Sequence, residues 1–438
     1  MGIGNILFLV VFAVANVLFI KQAKKIIRNI KLGRAEDRSD RPAERWKTMA
    51  RVALGQGKMT ARPVAGILHI LVYVGFVIIN IEVVEIIIDG IFGTHRILSF
   101  MGGFYNFLIA SFEWLAILVL VSCALFLIRR NVLQIKRFHY KEMTSWPKSD
   151  ANLILIFEIL LMSAFLIMDG ADSILQSRGV EGYHPGGAFP VSSSLTYWFL
   201  AGLSDGTLIM VERGMWWFHI IGIFGFLNYL PLSKHLHIIL AFPNTYFSNL
   251  NPKGRFTNME SVTNEVKLMM DPSADPFAAP APPEGEIPSF GAKDVQDLTW
   301  KNLLDSYSCT ECGRCSSVCP ANQTGKLLSP RKIMMDTRDR LEEVGKNLDA
   351  GKEDDGKKLL GDYISEEEIW ACTSCNACVD ACPVNIDPLN IIVELRRNLV
   401  MEESKAPTEL TTMFNNVENN GAPWAFSPAD RLNWVNED

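Results

Sequence analysis

The stretch CTECGRCSSVCP at 309–320 returns as CTSCNACVDACP at 372–383. Both copies read C-x2-C-x2-C-x3-C-P, and together they hold eight of the nine cysteines in the chain. Three thiolates on a tight loop, then a fourth on a short helix ahead of proline, is the spacing that holds a [4Fe-4S] cluster, with the fourth cysteine reaching to the other cluster of a pair. The spacing therefore assigns Cys309, Cys312, Cys315 and Cys382 to one cluster, and Cys372, Cys375, Cys378 and Cys319 to a second. Four-cysteine zinc sites are built from separated C-x2-C pairs, which a complete run repeated in full does not resemble. Thiols grouped this closely read as metal ligands in a reducing compartment rather than as disulfides, so the cysteine domain is expected to face the cytoplasm.

Working outward, the apolar residues, 49% of the 438, crowd into the first 245 positions. Residues 5–20 are uncharged and are followed by Lys21, Lys24, Lys25 and Arg28. A cleaved signal peptide carries its positive charge before the apolar run, so this order predicts an uncleaved membrane span. Four further spans are expected at 64–88, 104–128, 153–175 and 216–242, each long enough to cross a hydrocarbon core of ~30 Å. The connections 21–63 and 129–148 are rich in Lys and Arg, whereas 89–103 and 176–213 are poor in them. That alternation predicts an N-terminus outside and everything after 242 in the cytoplasm. The short apolar segment 195–211, interrupted by Gly202, Asp205 and Gly206, reads as a re-entrant or interfacial piece on the outer face. A net charge of -6 gives no case for nucleic-acid binding.

The fold expected is an all-α membrane bundle of five transmembrane helices plus a mainly helical dicluster domain. Its parts are a membrane haem domain at 1–248, a proline-rich linker at 249–296 with a strap at 271–293, the two-cluster domain at 297–405 and a polar tail at 406–438. Soluble helices are expected near 297–306 and 331–348. Trp424, Phe426 and Trp434 on the tail read as a docking surface or as local packing on the cluster domain.

Four of the seven histidines, His69, His219, His235 and His237, lie in or beside the spans, where a polar side chain is costly and functional by default. His69 sits about one turn into the second span and His237 near the cytoplasmic end of the last, at one depth, where two imidazoles would clamp a b-type haem. In a straight helix His219 and His237 would share a face ~27 Å apart, the arrangement for a second haem, with Pro231 as a possible kink between them. Facing His219, the second span offers Ile79, Asn80, Glu82 and Glu85 and no histidine. The reading is therefore one haem, with two as the alternative. His219, Glu82 and Glu85 are then available to a quinone or a proton path, and His95 or His184 would be the source of any extra ligand. Glu113 and Glu158, inside the third and fourth spans, are either proton groups or structural acids, and Cys123 is a packing residue.

The pieces LHILVYVGF around His69 and WWFHIIGIFGFLNYLPLSKHLHI around His219 and His237 resemble the haem-bearing helices of the nitrate reductase gamma subunit family. Joined to the two cysteine runs, they make the chain similar to membrane-anchored iron–sulfur oxidoreductases related to heterodisulfide reductase, a group that includes electron transfer flavoprotein:menaquinone oxidoreductases. The resemblance implies His69 and His237 as the cytoplasmic-side haem pair. It gives His219 as one ligand of an outer haem whose partner position falls at Ile79, and it has no counterpart for His235. Related fused chains continue into a cysteine-rich CCG domain, and NNGAPWAF and DRLNW near the end of this sequence resemble the hinge leading there, so that domain is expected on a separate subunit. The function expected is an oxidoreductase subunit in a bacterial inner membrane. It would pass electrons between menaquinone or another quinone and a cytoplasmic flavoprotein partner, through haem b and two [4Fe-4S] clusters. The alternatives are the same wiring serving a disulfide or hydroxy-acid oxidoreductase, or a redox sensor or scaffold without turnover.

Overall fold

The structure, a computed structural model, describes residues 2–273, 290–352 and 354–436. Among these residues the chain is helical and has no strand. Five helices are long and apolar enough to cross a membrane: α1 (Ile3–Ile30), α2 (Pro63–Phe92), α3 (Gly103–Leu127), α4 (Ser145–Ser177) and α5 (Asp205–Tyr229). A membrane bundle joined to a helical dicluster domain is what the chain forms. α2 starts at Pro63, whose missing N–H costs nothing at a first helical position. It ends at Gly93, where φ is 74°, a left-handed cap that glycine adopts without a side-chain clash.

The bundle is held by close approach, as expected where lipid removes the hydrophobic drive between helices. α4 packs against α5 and α3, α2 packs against α3, and α1 leans on α2 and α5. A Cβ on Gly75 of α2 would stand 2.4 Å from Val119 of α3, and one on Gly222 of α5 would stand 2.6 Å from Leu161 of α4. Apolar side chains such as Val14, Val17, Phe107, Trp114 and Val121 point outward, which suits a lipid-facing surface.

Two expectations about the last span are corrected. The fifth helix begins at Asp205, so the second half of 195–211 belongs to it and is not re-entrant. Ser204 accepts the Thr207 N–H at 3.3 Å and Asp205 stands in the first turn, a starting signal that outweighs the low hydropathy of the segment. What precedes it is a pair of one-turn helices, Ser192–Leu195 and Tyr197–Leu200. At the other end the helix does not run on to 242. Pro231 has no N–H to donate and its ring crowds the preceding turn. Two 3-10 turns follow, at Leu230–Leu232 and Lys234–Leu236, before helix resumes as α6 (His237–Tyr246). The common face expected for His219 and His237 on one straight helix therefore does not exist.

The cluster domain packs α7 (Trp300–Ser308), α8 (Pro330–Asp349) and α9 (Pro388–Arg397) around buried Leu303, Ile333, Leu341, Ile391 and Leu395. The first two lie close to the stretches expected to be helical. α1 runs out of the bundle into this domain. Asn29 donates to the Tyr307 hydroxyl at 3.0 Å, Arg28 to the Gly345 carbonyl at 2.9 Å, and Lys25 pairs with Asp349 at 2.8 Å. Just beyond, Arg34 exchanges backbone hydrogen bonds with Leu298 and Trp300 at 2.8 and 3.0 Å. Gly33 makes this seam possible, because a Cβ there would lie 2.6 Å from the Trp300 nitrogen. Gly33→Ala is expected to destabilise the docked cluster domain by ~1–3 kcal/mol, the usual cost of overpacking. The measurement is the thermal midpoint of the cluster absorbance, and an unchanged midpoint would show that the seam yields freely.

Most of the expected strap at 271–293 lies outside the described residues. The tail forms a helix at Thr408–Asn420 and a 3-10 segment at Pro428–Asn436. Trp424, Phe426 and Trp434 are 51%, 68% and 71% exposed, so they do not pack on the cluster domain.

Candidate electron-transfer site

The two cysteine runs fold alike. Each loop places its third and fifth residues in the left-handed region, Glu311 and Gly313 in the first (φ 54° and 70°) and Ser374 and Asn376 in the second (φ 54° and 64°). That backbone turns the cysteines inward and feeds directly into a short helix, Arg314–Val318 or Ala377–Ala381, capped by the fourth cysteine. The two short helices pack on each other, and each thereby carries its fourth cysteine toward the opposite loop.

Cys315 has Cys309, Cys312 and Cys382 as electrostatic neighbours, with Cys378 of the adjoining group also in range. Cys372 has Cys319 and Cys375, and Cys378 has Cys372 and Cys319. Cys382 is thus a neighbour of the first loop and Cys319 of the second, each beside the run to which it does not belong. All eight are free thiols. Backbone N–H groups already point at sulfur, from Ser374 to Cys372 at 3.4 Å and from Ile386 to Cys382 at 3.3 Å. Burial pushes the Cys309 thiol up to about 12 and the Cys382 thiol up to about 11. Iron must therefore displace protons as it binds. Clustered sulfurs, most of them buried or half-buried, with N–H donors aimed at two of them fit iron–sulfur ligation. Glu311 and Arg314 of the first loop touch Lys234, Lys58 and Met59 of the membrane domain, whereas Cys375 of the second is exposed, so the first group faces the membrane domain and the second reaches solvent.

Next to the first group stand the histidines. The His69 and His237 rings are 6.3 Å apart, centroid to centroid. An imidazole nitrogen binds a metal at ~2 Å and lies about 1.1 Å from its ring centre, so two ligands on opposite sides of one metal have centroids ~6 Å apart. The Nδ1 of His69 is buried without a partner. The Nδ1 of His237 faces the Lys234 carbonyl at 3.1 Å, which fixes the ring and leaves Nε2 available, the usual supporting contact of a ligating histidine. These residues fit a b-type haem. His235 stands 5.5 Å from His237 and 5.1 Å from Phe226, packed edge-on beside the pair.

His219 is deeper in the bundle. Its Nδ1 faces the Leu161 carbonyl at 3.0 Å, and it lines a largely apolar cavity with Phe76, Ile79, Asn80, Glu158 and Met162. Ile79 and His219 do share one cavity, as their positional match implies. Glu82 and Glu85 are not in it. They are buried one turn farther out, lining a polar cavity with Asp89, His95, Arg96 and Asp172. Glu85 accepts from the Leu98 N–H and the Tyr105 hydroxyl, each at 2.9 Å. Glu113 accepts the Val191 and Ser192 N–H groups at 2.7 and 3.3 Å and so holds a helix start, a structural task. His95 is taken up by Asp172 at 3.5 Å and by Tyr183.

Two groups of residues escape the reading from sequence. Arg96 bridges Asp169 and Asp172 at 2.6 and 2.5 Å, and two aspartates inside an apolar span were the available signal. The other is Lys234, whose ammonium meets Glu311 of the first cysteine loop at 2.5 Å while its N–H donates to Asp150 at 3.1 Å. Arg338 holds the other oxygen of Glu311 at 2.7 Å. Nothing in the pattern could pair residues so far apart in sequence.

Residues 308–386 match the family model described as a 4Fe-4S dicluster domain. Over 99% of its length the chain is 30% identical to the probable iron-sulfur-binding oxidoreductase FadF of Bacillus subtilis, covering 61% of that protein. Over 91% it is 30% identical to the EtfAB:quinone oxidoreductase of Syntrophomonas wolfei, covering 55%. One third of it is 33% identical to a probable membrane-anchored ferredoxin of Chromohalobacter salexigens, covering 24%. The chain spans roughly three-fifths of the first two relatives. No solved structure matches.

Proposed function

We propose that this homologue of membrane-anchored iron–sulfur oxidoreductases is a membrane electron-transfer subunit. In this reading it links a quinone, of menaquinone type, to a soluble redox partner of flavoprotein type. The single observation that carries it is the His69–His237 pair, 6.3 Å apart, set at the end of the bundle where the first cysteine group docks. His69 and His237 hold one b-type haem. Cys309, Cys312, Cys315 and Cys382 hold one [4Fe-4S] cluster, and Cys372, Cys375, Cys378 and Cys319 hold the other. When bound, these groups supply one-electron chemistry, and the protein supplies spacing and tuning.

The chain's own residues set the route. The exposed loop at Cys375 meets the soluble partner, and the exposed aromatics Trp424, Phe426 and Trp434 give that partner an apolar anchor. The first loop, fastened to Lys234 through Glu311, stands beside His237. In the cavity beyond, Glu158 and His219 can take up or release the protons of a quinone head, while its apolar walls exclude bulk water. The loop charges of the sequence support a cluster domain in the cytoplasm and an N-terminus outside, in a bacterial inner membrane. The Syntrophomonas relative, an EtfAB:quinone oxidoreductase, supports both the quinone and the flavoprotein.

The test is the purified protein titrated with a menaquinol analogue. The expected result is one haem per chain in a pyridine haemochrome assay, reduced by the quinol before the iron–sulfur absorbance bleaches. A protein with haem that no quinol reduces would sink the quinone-linked reading, and two haems per chain would move His219 from the quinone cavity to ligation.

A further inference from the structure

Four cations converge on the first cysteine group, and none is ion-paired with a carboxylate among the described residues, Asp380 being only an electrostatic neighbour of Lys58. Arg314, between Cys312 and Cys315, is 5% exposed and directs its guanidinium to the Lys58 carbonyl at 3.2 Å and the Met59 sulfur at 3.6 Å. Arg62 donates to Ser317 Oγ at 2.5 Å. Lys58 donates to Asn385 Oδ1 at 3.0 Å, just past Cys382. Arg137 lies over the Phe138 ring at 4.8 Å with its Nε buried and unpartnered, and a Cβ on Gly313 would stand 3.4 Å from its own Cβ. Cys312 is an electrostatic neighbour of Arg137 and of Arg314, and Cys382 of Lys58 and of Arg314. The nearby acids are already engaged, Glu311 by Lys234 and Arg338 and Glu142 by Arg331.

The second loop is different. Arg396 donates to the Cys372 carbonyl at 2.5 Å and to Ser374 at 3.3 Å, Lys253 is neutralised by Asp380, and Asp387 adds a negative neighbour to Cys378. Arg314 is buried and Lys58, Arg62 and Arg137 are half-buried, and like charges drawn together out of water without paired carboxylates are costly, so an arrangement of this kind favours an anion between them. A thiolate-held cluster is anionic and becomes more so on reduction. Cations beside it therefore favour the reduced form and raise its potential.

Resting on the two-cluster reading above, we infer that Lys58, Arg62, Arg137 and Arg314 hold the reduction potential of the Cys309–Cys312–Cys315–Cys382 centre above that of the Cys372–Cys375–Cys378–Cys319 centre. An electron lost by the solvent-side centre is gained by the membrane-side one, with no proton needed, and it rests beside His69 and His237. Three of the four cations belong to the membrane domain, so this ordering depends on the cluster domain being docked.

The experiment is a redox titration of the full-length protein followed by electron paramagnetic resonance, with iron content measured on every variant. In the native protein the centre that Cys312→Ser removes should be the one of higher potential. Arg137→Gln removes charge without removing a side-chain hydrogen bond, and should shift the occupancy between the centres at least tenfold toward the solvent side, 59 mV for one electron. Arg137→Lys should restore it, and Arg396→Gln should move only the other centre. Full iron with both midpoints unmoved in Arg137→Gln and Arg314→Gln, or a native membrane-side centre of lower potential, would overturn the inference while leaving the two clusters standing. Native protein without two iron–sulfur centres would overturn the underlying reading itself.

Discussion

His69→Ala or His237→Ala is expected to abolish the low-spin haem absorbance of the membrane fraction while the iron–sulfur absorbance stays. In the proposed haem site each would supply one ligand, and both rings are held by contacts that do not need the metal: α2 for His69, the Lys234 carbonyl at 3.1 Å for His237. Losing either should leave at most a five-coordinate, high-spin remnant. His235→Ala is the control, because its ring packs on Phe226 and His237 and should leave the band in place. A full low-spin spectrum in His69→Ala would show that another ring, with His235 the nearest, takes the axial position.

The second large effect is expected from Cys319→Ser. The helix Arg314–Val318 carries Cys319 away from its own loop, so the variant should lose the cluster of the other run, about half of the iron. The surviving signal should be that of the membrane-side centre. Cys382→Ser should do the reverse. If Cys319→Ser instead removes the centre that Cys312→Ser removes, the runs are uncrossed and each cluster is held by one run alone.

The cysteine loops were legible in the sequence because a ligand run is local. The spacing that names the ligands also sets the loop conformation, including the left-handed positions that Gly313 and Asn376 accommodate. The number of spans was legible for the same reason, since lipid constrains each helix separately. The fifth span was misread at both ends. Its start depends on the Ser204 cap rather than on hydropathy, and its end on how Pro231 and Ser233 resolve a break that composition alone shows only as a possible kink. Glu82, Glu85 and Glu113 could not be sorted by chemistry from sequence, because what separates a proton group from a helix-holding acid is which N–H groups come to meet it. The unpaired cations around the first loop were likewise invisible, as they arrive from three separate loops.

The break between α5 and α6 has a mechanical consequence. His237 does not ride on the long helix in the lipid but begins a short one, seated on the Lys234 carbonyl, and the same lysine grips Glu311 in the loop of Cys309 and Cys312. Electron tunnelling weakens exponentially with distance, so a gap that fluctuated with every bend of the bilayer would give an erratic rate. Here the break is braced rather than loose: Asp150 of α4 accepts from Tyr229 at the end of α5 and from Ser233 and Lys234 beyond the break, so in the proposed electron path the ring and the sulfur loop are fastened to one shared anchor instead of to the free end of a lipid-exposed helix.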